Sequence, residues 1–504
     1  MKERSESQVL YNSTHKVEIV SNSTPQLEKQ PWGKLLTLVG YAATLGSAVP
    51  VGYCIGDINS PASYMRAWCN ETLIERYDYH ITSGGLDILW STIVSIFLVG
   101  GAIGSLGGAG AADRFGRKGC FLICGLLFVL GAIQFMFCRM ASSVEMLLLG
   151  RLFVGLASGL TTTSLPMYLT ECAPLALRGT LGVFCAVGVT GGVVVGQVMS
   201  LRHIFGTADY WHYGLSSYLV LIIICYLPSF YFPESPKWLY VVKQDRESAK
   251  RELQRLRGAN QKAQIQKEIE DMEAEASATM QTASFCAVLS DSTLLLPLII
   301  VCAFHGGQQL TGINAIFYYS VSIFQRAGLS TTDAEWANLG AGSLNLLTSL
   351  LGPYLMANFN RRPIMQFSCF VCAICLFAFA FLLRFIDYVN WFAFACIACI
   401  FSYIFFFQLG VGPIPYFIGS EIFEVAPRPI GMAMGSLASW SCNFIIGMAF
   451  PTLQNAWGAF VFIPFSITCI VLFLLTRFYL PETRGRDPSE VAPLISKGFR
   501  SKVR

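Results

Sequence analysis

Apolar windows of roughly 20 residues, long enough to cross ~30 Å of hydrocarbon, recur along the chain between shorter polar stretches. They fall near 35–56, 88–110, 119–138, 145–169, 180–201, 214–232, 293–319, 336–357, 363–384, 391–418, 430–450 and 457–480. This pattern predicts an all-α membrane protein with about twelve transmembrane helices. Between the sixth and seventh windows lies ESAKRELQRLRGANQKAQIQKEIEDMEAEASATM. Its charge pattern and good helix formers predict short, solvated helices there.

Composition agrees. Of 504 residues, 54% are hydrophobic and 13% charged, whereas soluble proteins carry about 25% charged residues. A net charge of +4, with no dense basic block, argues against a nucleic-acid partner. Residues 1–32 are polar and lack an apolar core, so no cleavable signal peptide is expected and the first apolar segment inserts and stays. Most of the 17 cysteines lie inside apolar runs. Cys369, Cys372 and Cys375 lack the His neighbours and water access that a zinc site needs, so they read as small packing residues and no metal or cofactor is expected.

Lysine sets the orientation. Every lysine falls in the termini, in the loop after helix two (Lys118), or in the segment after helix six (Lys237, Lys243, Lys250, Lys262 and Lys267). The alternate loops have none, so the positive-inside rule predicts cytoplasmic termini and a cytoplasmic middle segment. The loop after helix one is then outside, and its Asn70-Glu71-Thr72 is a glycosylation sequon in an accessible place. Asn12-Ser13-Thr14 and Asn22-Ser23-Thr24 match by chance on the cytoplasmic side.

The chain also repeats itself. Pro233-Glu234-Ser235 follows helix six and Pro481-Glu482-Thr483 follows helix twelve, Glu171 precedes Arg178 at the spacing by which Glu421 precedes Arg428, and Arg117-Lys118 is echoed by Arg361-Arg362. All recur at an offset of about 250 residues, which predicts two similar six-helix halves related by an axis along the membrane normal, the plan of the major facilitator fold. The expected division is a cytoplasmic tail at 1–33, halves at 34–232 and 293–480, a cytoplasmic helical linker at 233–292, and a tail at 481–504.

Two sets of residues carry the chemistry. The first is charged and cytoplasmic: Asp113, Arg117, Arg151, Glu171 and Arg178 in one half, and Arg361, Arg362, Glu421 and Arg428 in the other. Carboxylates and guanidinium groups at helix ends latch neighbouring helices, with Glu171/Arg178 and Glu421/Arg428 as the expected pairs. The second set is polar and lies at bilayer depth. Helix seven holds Gln308, Gln309 and Asn314, helix eight Asn345, and helix eleven Ser439, Trp440 and Asn443. Helix ten places Phe407 and Gln408 before a break at GVGPIP, with Tyr416 just beyond. Interrupted helices at membrane depth point to a binding site. Amides both donate and accept, which suits a neutral polyol, and aromatic faces suit the C–H side of a sugar ring. Among the five histidines, His15, His80, His203, His212 and His305, no nucleophile–base or metal set can be assembled, so no catalytic role is expected.

With these residues in hand, the chain resembles the facilitative glucose transporter family, the sugar-porter branch of the major facilitator superfamily. The matching stretches are DRFGRK, GRLFVGLASGLTTTSLPMYLTE, PLALRGTLG, PESPKWL, QQLTGINAIFYYS, VGPIPYFIGSEIF, PRPIGMA, SWSCNFIIG and PETRGR. The resemblance implies alternating access by rocking of two halves around a hexose bound mid-membrane. It implies sugar contacts at Gln308, Gln309, Asn314, Asn345 and Trp440, and an outer gate at Tyr318 and Tyr319.

Several positions depart from the family's glucose pattern. Ala186 stands where a sugar-binding Gln is usual, Tyr416 where Trp is common, Gln408 where Glu is common and Ser439 where Asn is common. His305-Gly306-Gly307 replaces a Gln-Leu-Ser, and Ala357 and Asn360 replace an acid and a Gly. Losing one amide at Ala186 removes about 1–3 kcal/mol of binding. Cys54 occupies the place where proton symporters of the family carry an Asp; Asp57 is three residues on and reads as a solvated acid at the outer mouth. The resulting expectation is a facilitative hexose uniporter of the plasma membrane, moving glucose and/or fructose, for which a monomer suffices. A carrier of another polyol, a proton-coupled symporter and a non-transporting sugar sensor stand as alternatives.

Overall fold

The computed structural model describes residues 33–174, 177–258, 261–279, 285–389, 391–424, 427–486 and 488–501. The sequons at Asn12 and Asn22 lie outside these residues. Among the described residues the regular structure is helical. Nine spans among the described residues are long and apolar enough to cross a membrane. Two of them, Ser83–Cys138 with 56 residues and Arg428–Tyr479 with 52, each hold two passes, and Thr331–Asn358 adds another, which gives the twelve expected. We label them α1 (Lys34–Gly56), α2 (83–115), α3 (117–138), α4 (Val144–Cys172), α5 (Arg178–Met199), α6 (Trp211–Tyr231), α7 (Leu295–Arg326), α8 (Thr331–Asn358), α9 (Arg361–Arg384), α10 (Phe392–Ile422), α11 (Arg428–Trp457) and α12 (Ile463–Tyr479).

The first six helices form one bundle and the last six another, joined by a segment containing helices Arg246–Arg257 and Lys262–Thr279. Lys118, Lys237 and Lys243 share one face of the molecule with that segment; the loop 57–82 is on the opposite face. The bundles meet along α2 against α11 and α5 against α8.

Small residues decide how closely helices approach. Gly52 and Gly56 on α1 face Gly192 and Gly196 on α5, and their backbones touch: a Cβ on Gly52 would sit 1.8 Å from the Val189 carbonyl oxygen, and one on Gly192 2.1 Å from that of Val49. This is the small-residue packing through which membrane helices gain contact without a hydrophobic driving force. The turn between α2 and α3 is made by Gly116, whose φ of 82° puts it in the left-handed region. A Cβ there would lie 2.3 Å from a Glu234 carboxylate oxygen, so the turn and the acid that caps it are built together.

One feature of the expected topology changes. The loop after α1 is folded as a helix, Ala62–Tyr77, closed by Asp78 in the left-handed conformation. Asn70 is half-buried in the middle of this helix, and the sequon's Thr72 is buried.

Candidate substrate site

The polar residues of α7 sit where that helix and α10 are both interrupted. Helix α7 stops at Leu310 and restarts at Ile313, with Gly312 at a φ of 87° and close against the Phe465 ring of α12. Helix α10 breaks between Leu409 and Ile414. Pro415 has no N–H, so the carbonyl of Val411, four residues back, loses its helical donor. Gln308 supplies the replacement: its Nε2 donates to Val411 O at 3.1 Å and to Gly412 O at 2.6 Å. A buried amide that looks expensive in the sequence therefore satisfies backbone groups that the break leaves bare.

From there a chain of amides runs from α7 to α11. Gln309 Nε2 donates to Gln308 Oε1 at 3.1 Å and to Ser439 Oγ of α11 at 2.9 Å, and Asn314 Nδ2 donates to Gln309 Oε1. Ser439, which replaces a common Asn, thus joins the network as an acceptor. Trp440, next along α11, donates its indole N–H to Ser105 Oγ of α2 at 2.9 Å, which is a bond between the two bundles. Asn345 stands apart on α8, buried, with its Oδ1 lacking a hydrogen-bond partner among the described residues. Gln408 is half-buried beside Gly412, and buried Phe407 packs on Tyr403 with ring centroids 5.9 Å apart. His305 is buried, its Nδ1 3.0 Å from Val301 O, and its ring meets Tyr416 edge-on at 6.1 Å. Tyr416 is 63% exposed. Ala186, across from this set on α5, is exposed, and the nearest hydroxyl one turn on, Thr190, is 3.3 Å from Ser349 of α8.

On the face opposite the lysines the bundles are sealed by a polar string that sequence reading missed. Asn59 at the end of α1 donates to Phe317 O at 2.8 Å and to Ser320 of α7. Ser320 donates to Asn338 of α8 at 2.6 Å, and Gln197 of α5 donates to the same Asn338 oxygen at 2.8 Å. All four side chains are buried. Arg202 pairs with the buried carboxylate of Glu335 at 2.8 Å just beyond. Glu335, Asn338, Gly342 and Asn345 recur at helical spacing along one face of α8, and that stripe was the available signal. Tyr318 and Tyr319 lie beside the seal; Tyr319 donates to Gly447 O of α11 at 2.9 Å and stacks on Phe450.

The charged residues form two matching clusters on the lysine-bearing face, with one change of partners. Arg117 holds Glu171 in a bidentate pair at 2.8 and 3.1 Å, with Asp113 at 3.3 Å. Arg361 holds Glu421 at 3.0 Å. Glu234 accepts from the backbone N–H of Arg117 at 2.9 Å and of Lys118 at 3.0 Å, as Glu482 does from Arg361 at 2.9 Å and Arg362 at 3.2 Å. Ser235 donates to Glu171, and Thr483 to Glu421. The expected pairs Glu171/Arg178 and Glu421/Arg428 do not form. Arg178 is exposed and joins no described carboxylate, while Arg428 donates to the Phe423 carbonyl oxygen at 3.2 Å. The residues after each carboxylate leave its helix, so the arginine arriving from the preceding helix hairpin reaches it first. Burial pushes the Glu234 carboxyl up, against the pull of its three backbone N–H partners.

Arg151 requires a further correction. It lies two turns into α4 at the end remote from Glu171, about 30 Å away at 1.5 Å per residue. It is fully buried and donates to the carbonyls of Cys54 (2.6 Å), Ile93 (3.3 Å) and Val94 (3.4 Å), with its guanidinium 4.8 Å from the Phe97 ring centroid. Asp57, expected to be solvated, is 2% exposed, because the close α1–α5 approach and the seal cover it.

An all-helical two-bundle fold with polar residues at two interrupted helices defines a membrane carrier, and the comparisons agree. The profile of the family described as "Sugar (and other) transporter" matches residues 39–494, and the chain belongs to that family. It is 37% identical over 461 residues to "Solute carrier family 2, facilitated glucose transporter member 3" of Ovis aries, covering 92% of each chain. It is 35% identical over 470 residues to member 1 of Gallus gallus, covering 93% of this chain and 94% of that one, and 34% identical over 467 residues to member 5 of Equus caballus, covering 92% of each. In fold it matches "Inward open conformation of the xylose transporter XylE from E. coli", with a TM-score of 0.75 at 20% identity over 91% of this chain and 99% of that one.

Proposed function

We propose that this protein is a facilitative sugar carrier that moves a hexose, glucose and/or fructose, by alternating access. The observation that carries this reading is the amide chain Gln308–Gln309–Asn314–Ser439, hung on the break of α10 and lying beside the inter-bundle contact of Trp440 with Ser105. The relatives' names supply the substrate class, and the donors fit it: neutral amides, hydroxyls and aromatic faces, without a charge that would favour an ionic solute.

In this reading the lysine-bearing face is cytoplasmic, both termini with it, and the protein resides in the plasma membrane as a functional monomer. The string Asn59–Ser320–Asn338–Gln197 is the outer seal, with Tyr318 and Tyr319 its aromatic gate. Tyr416, exposed beside His305, lines the path open to the inside. Sugar enters from that side or leaves by it; the seal parts when the bundles rock, and the clusters around Arg117 and Arg361 keep each bundle rigid as it moves. Transport is uniport, driven by the sugar gradient alone.

Tracer uptake into proteoliposomes with glucose, fructose, galactose and inositol, each competed by the others, tests this. Saturable, non-concentrative uptake of at least one hexose is the expected result. Binding without uptake would replace the carrier by a sensor, and uptake that collapsed with a protonophore at a fixed sugar gradient would overturn uniport.

A further inference from the structure

Asp57 is the residue that the transport path leaves unexplained. It caps the last turn of α1, its own N–H bonded to Tyr53 O at 3.0 Å. The side chain is 2% exposed, and neither carboxylate oxygen has a hydrogen-bond partner among the described residues; the Ser60 hydroxyl close by is also unpartnered. An ionised carboxylate in such a place costs several kcal/mol. Helix α5 presses on it from one side: a Cβ on Gly196 would sit 3.0 Å from the Asp57 nitrogen. That helix offers backbone there and no titratable side chain among the described residues.

The charged and titratable groups that act on Asp57 are few. Arg151 comes from α4, Tyr218 from α6, and Tyr53 and Cys54 from its own helix. Arg151 is itself buried, spends its N–H groups on carbonyls, one of them Cys54 O, and pairs with no carboxylate among the described residues. A buried anion-former and a buried cation thus lie within electrostatic reach of one another without forming an ion pair among the described residues. Two residues beyond Asp57 on the same turn is Asn59, the first member of the outer seal. Moving the end of α1 far enough to wet Asp57, or to bring it onto Arg151, pulls Asn59 off Phe317 and Ser320.

We propose that Asp57 is a proton-binding site that sets the outer seal: it carries a proton while the string Asn59–Ser320–Asn338–Gln197 is closed and gives that proton to water on the opening face when the string parts, leaving its carboxylate in the field of Arg151. Acid then favours the sealed form, and alkali the form open outside. Protonation here regulates the seal and does not drive sugar uphill. The inference rests on the carrier reading only in taking the seal to part during the cycle.

The test needs no substrate. Amide hydrogen exchange of the full chain in nanodiscs, corrected for intrinsic rates, is followed in peptides covering 315–326 at about pH 6 and about pH 8. Wild type is expected to exchange ~3-fold faster or more at the higher pH, Asp57→Asn to stay at the slow level at both, and Asp57→Glu to keep a rise. A flat wild-type profile, an undiminished rise in Asp57→Asn, or a flat Asp57→Glu would each overturn the proposal. Should the exchange behave as stated while no sugar is taken up, the carrier reading fails and the switch stands.

Discussion

The Nε2 of Gln308 lies 2.6 Å from the carbonyl oxygen of Gly412 and 3.1 Å from that of Val411, so one side-chain amide replaces donors that the Gly-x-Gly-Pro-x-Pro break takes from α10. Gln308→Leu leaves both carbonyls bare in a buried place, a loss of about 1–3 kcal/mol. Gln309→Leu breaks bonds to other side chains and spares the backbone. Thermal melts in detergent should show a larger drop for Gln308→Leu than for Gln309→Leu, while both lose sugar binding. Equal melting points would separate Gln308 from the support of α10.

The contact of Trp440 with Ser105 makes α2 and α11 a shared wall. A Cβ on Gly101 would lie 2.3 Å from the Trp440 ring, so Gly101→Ala displaces the indole, whereas Ser105→Ala removes one hydrogen bond of about 1 kcal/mol. Initial uptake rates should fall roughly tenfold or more for Gly101→Ala and only a few-fold for Ser105→Ala.

The seal between the bundles can be broken without touching its members. Gly342 packs against Gln197, and a Cβ there would come within 2.0 Å of the Gln197 Oε1. Gly342→Ala should push that amide off Asn338 and raise hydrogen exchange in 315–326, as Gln197→Leu does directly. Unchanged exchange in both variants would remove the string as the seal.

The paired clusters give contrasting arginines. Arg117→Ala leaves the largely buried Glu171 carboxylate without its bidentate partner and should cost about 3–5 kcal/mol, visible as poor folding yield and a lowered melting point. Arg178→Ala removes an exposed side chain and should change stability by about 0.5 kcal/mol or less. A reversed order would restore the Glu171/Arg178 pairing.

Glu234 adds a pH dependence with a definite sign. Its carboxyl is raised by burial in the folded cluster. A raised carboxyl favours the protonated folded form, so its contribution to stability is full below the ordinary carboxylate range and is lost as pH rises through the folded value. The melting-point difference between wild type and Glu234→Gln should therefore shift in favour of wild type on acidification. Parallel curves would show that Glu234 titrates as it does in the unfolded chain.

The sequence alone determined the twelve apolar passes, the two-fold repeat and the polar residues at the breaks of α7 and α10, because each of these is local: a run long enough to span lipid, a motif that returns, an amide next to glycine and proline. It also marked Glu234 and Glu482 as equivalent before their shared role at Arg117 and Arg361 was visible. What it could not fix was the choice among partners. Glu171 has arginines at 117 and 178, and the spacing favours the nearer one in the chain, but the hairpin of α2 and α3 delivers Arg117 to it in space. Arg151 read as one of the cytoplasmic charges, yet it lies two turns into α4, at the end remote from Glu171. Asp57 read as solvated because it ends a helix; four glycines on α1 and α5 bring two backbones together over it and bury it. The seal from Asn59 to Gln197 draws on four helices, and only its α8 member, Asn338, lay on a polar stripe that the sequence shows. Hydrophobic length and repeat are properties of one strand of chain, while pairing, burial and sealing belong to the places where separate helices meet.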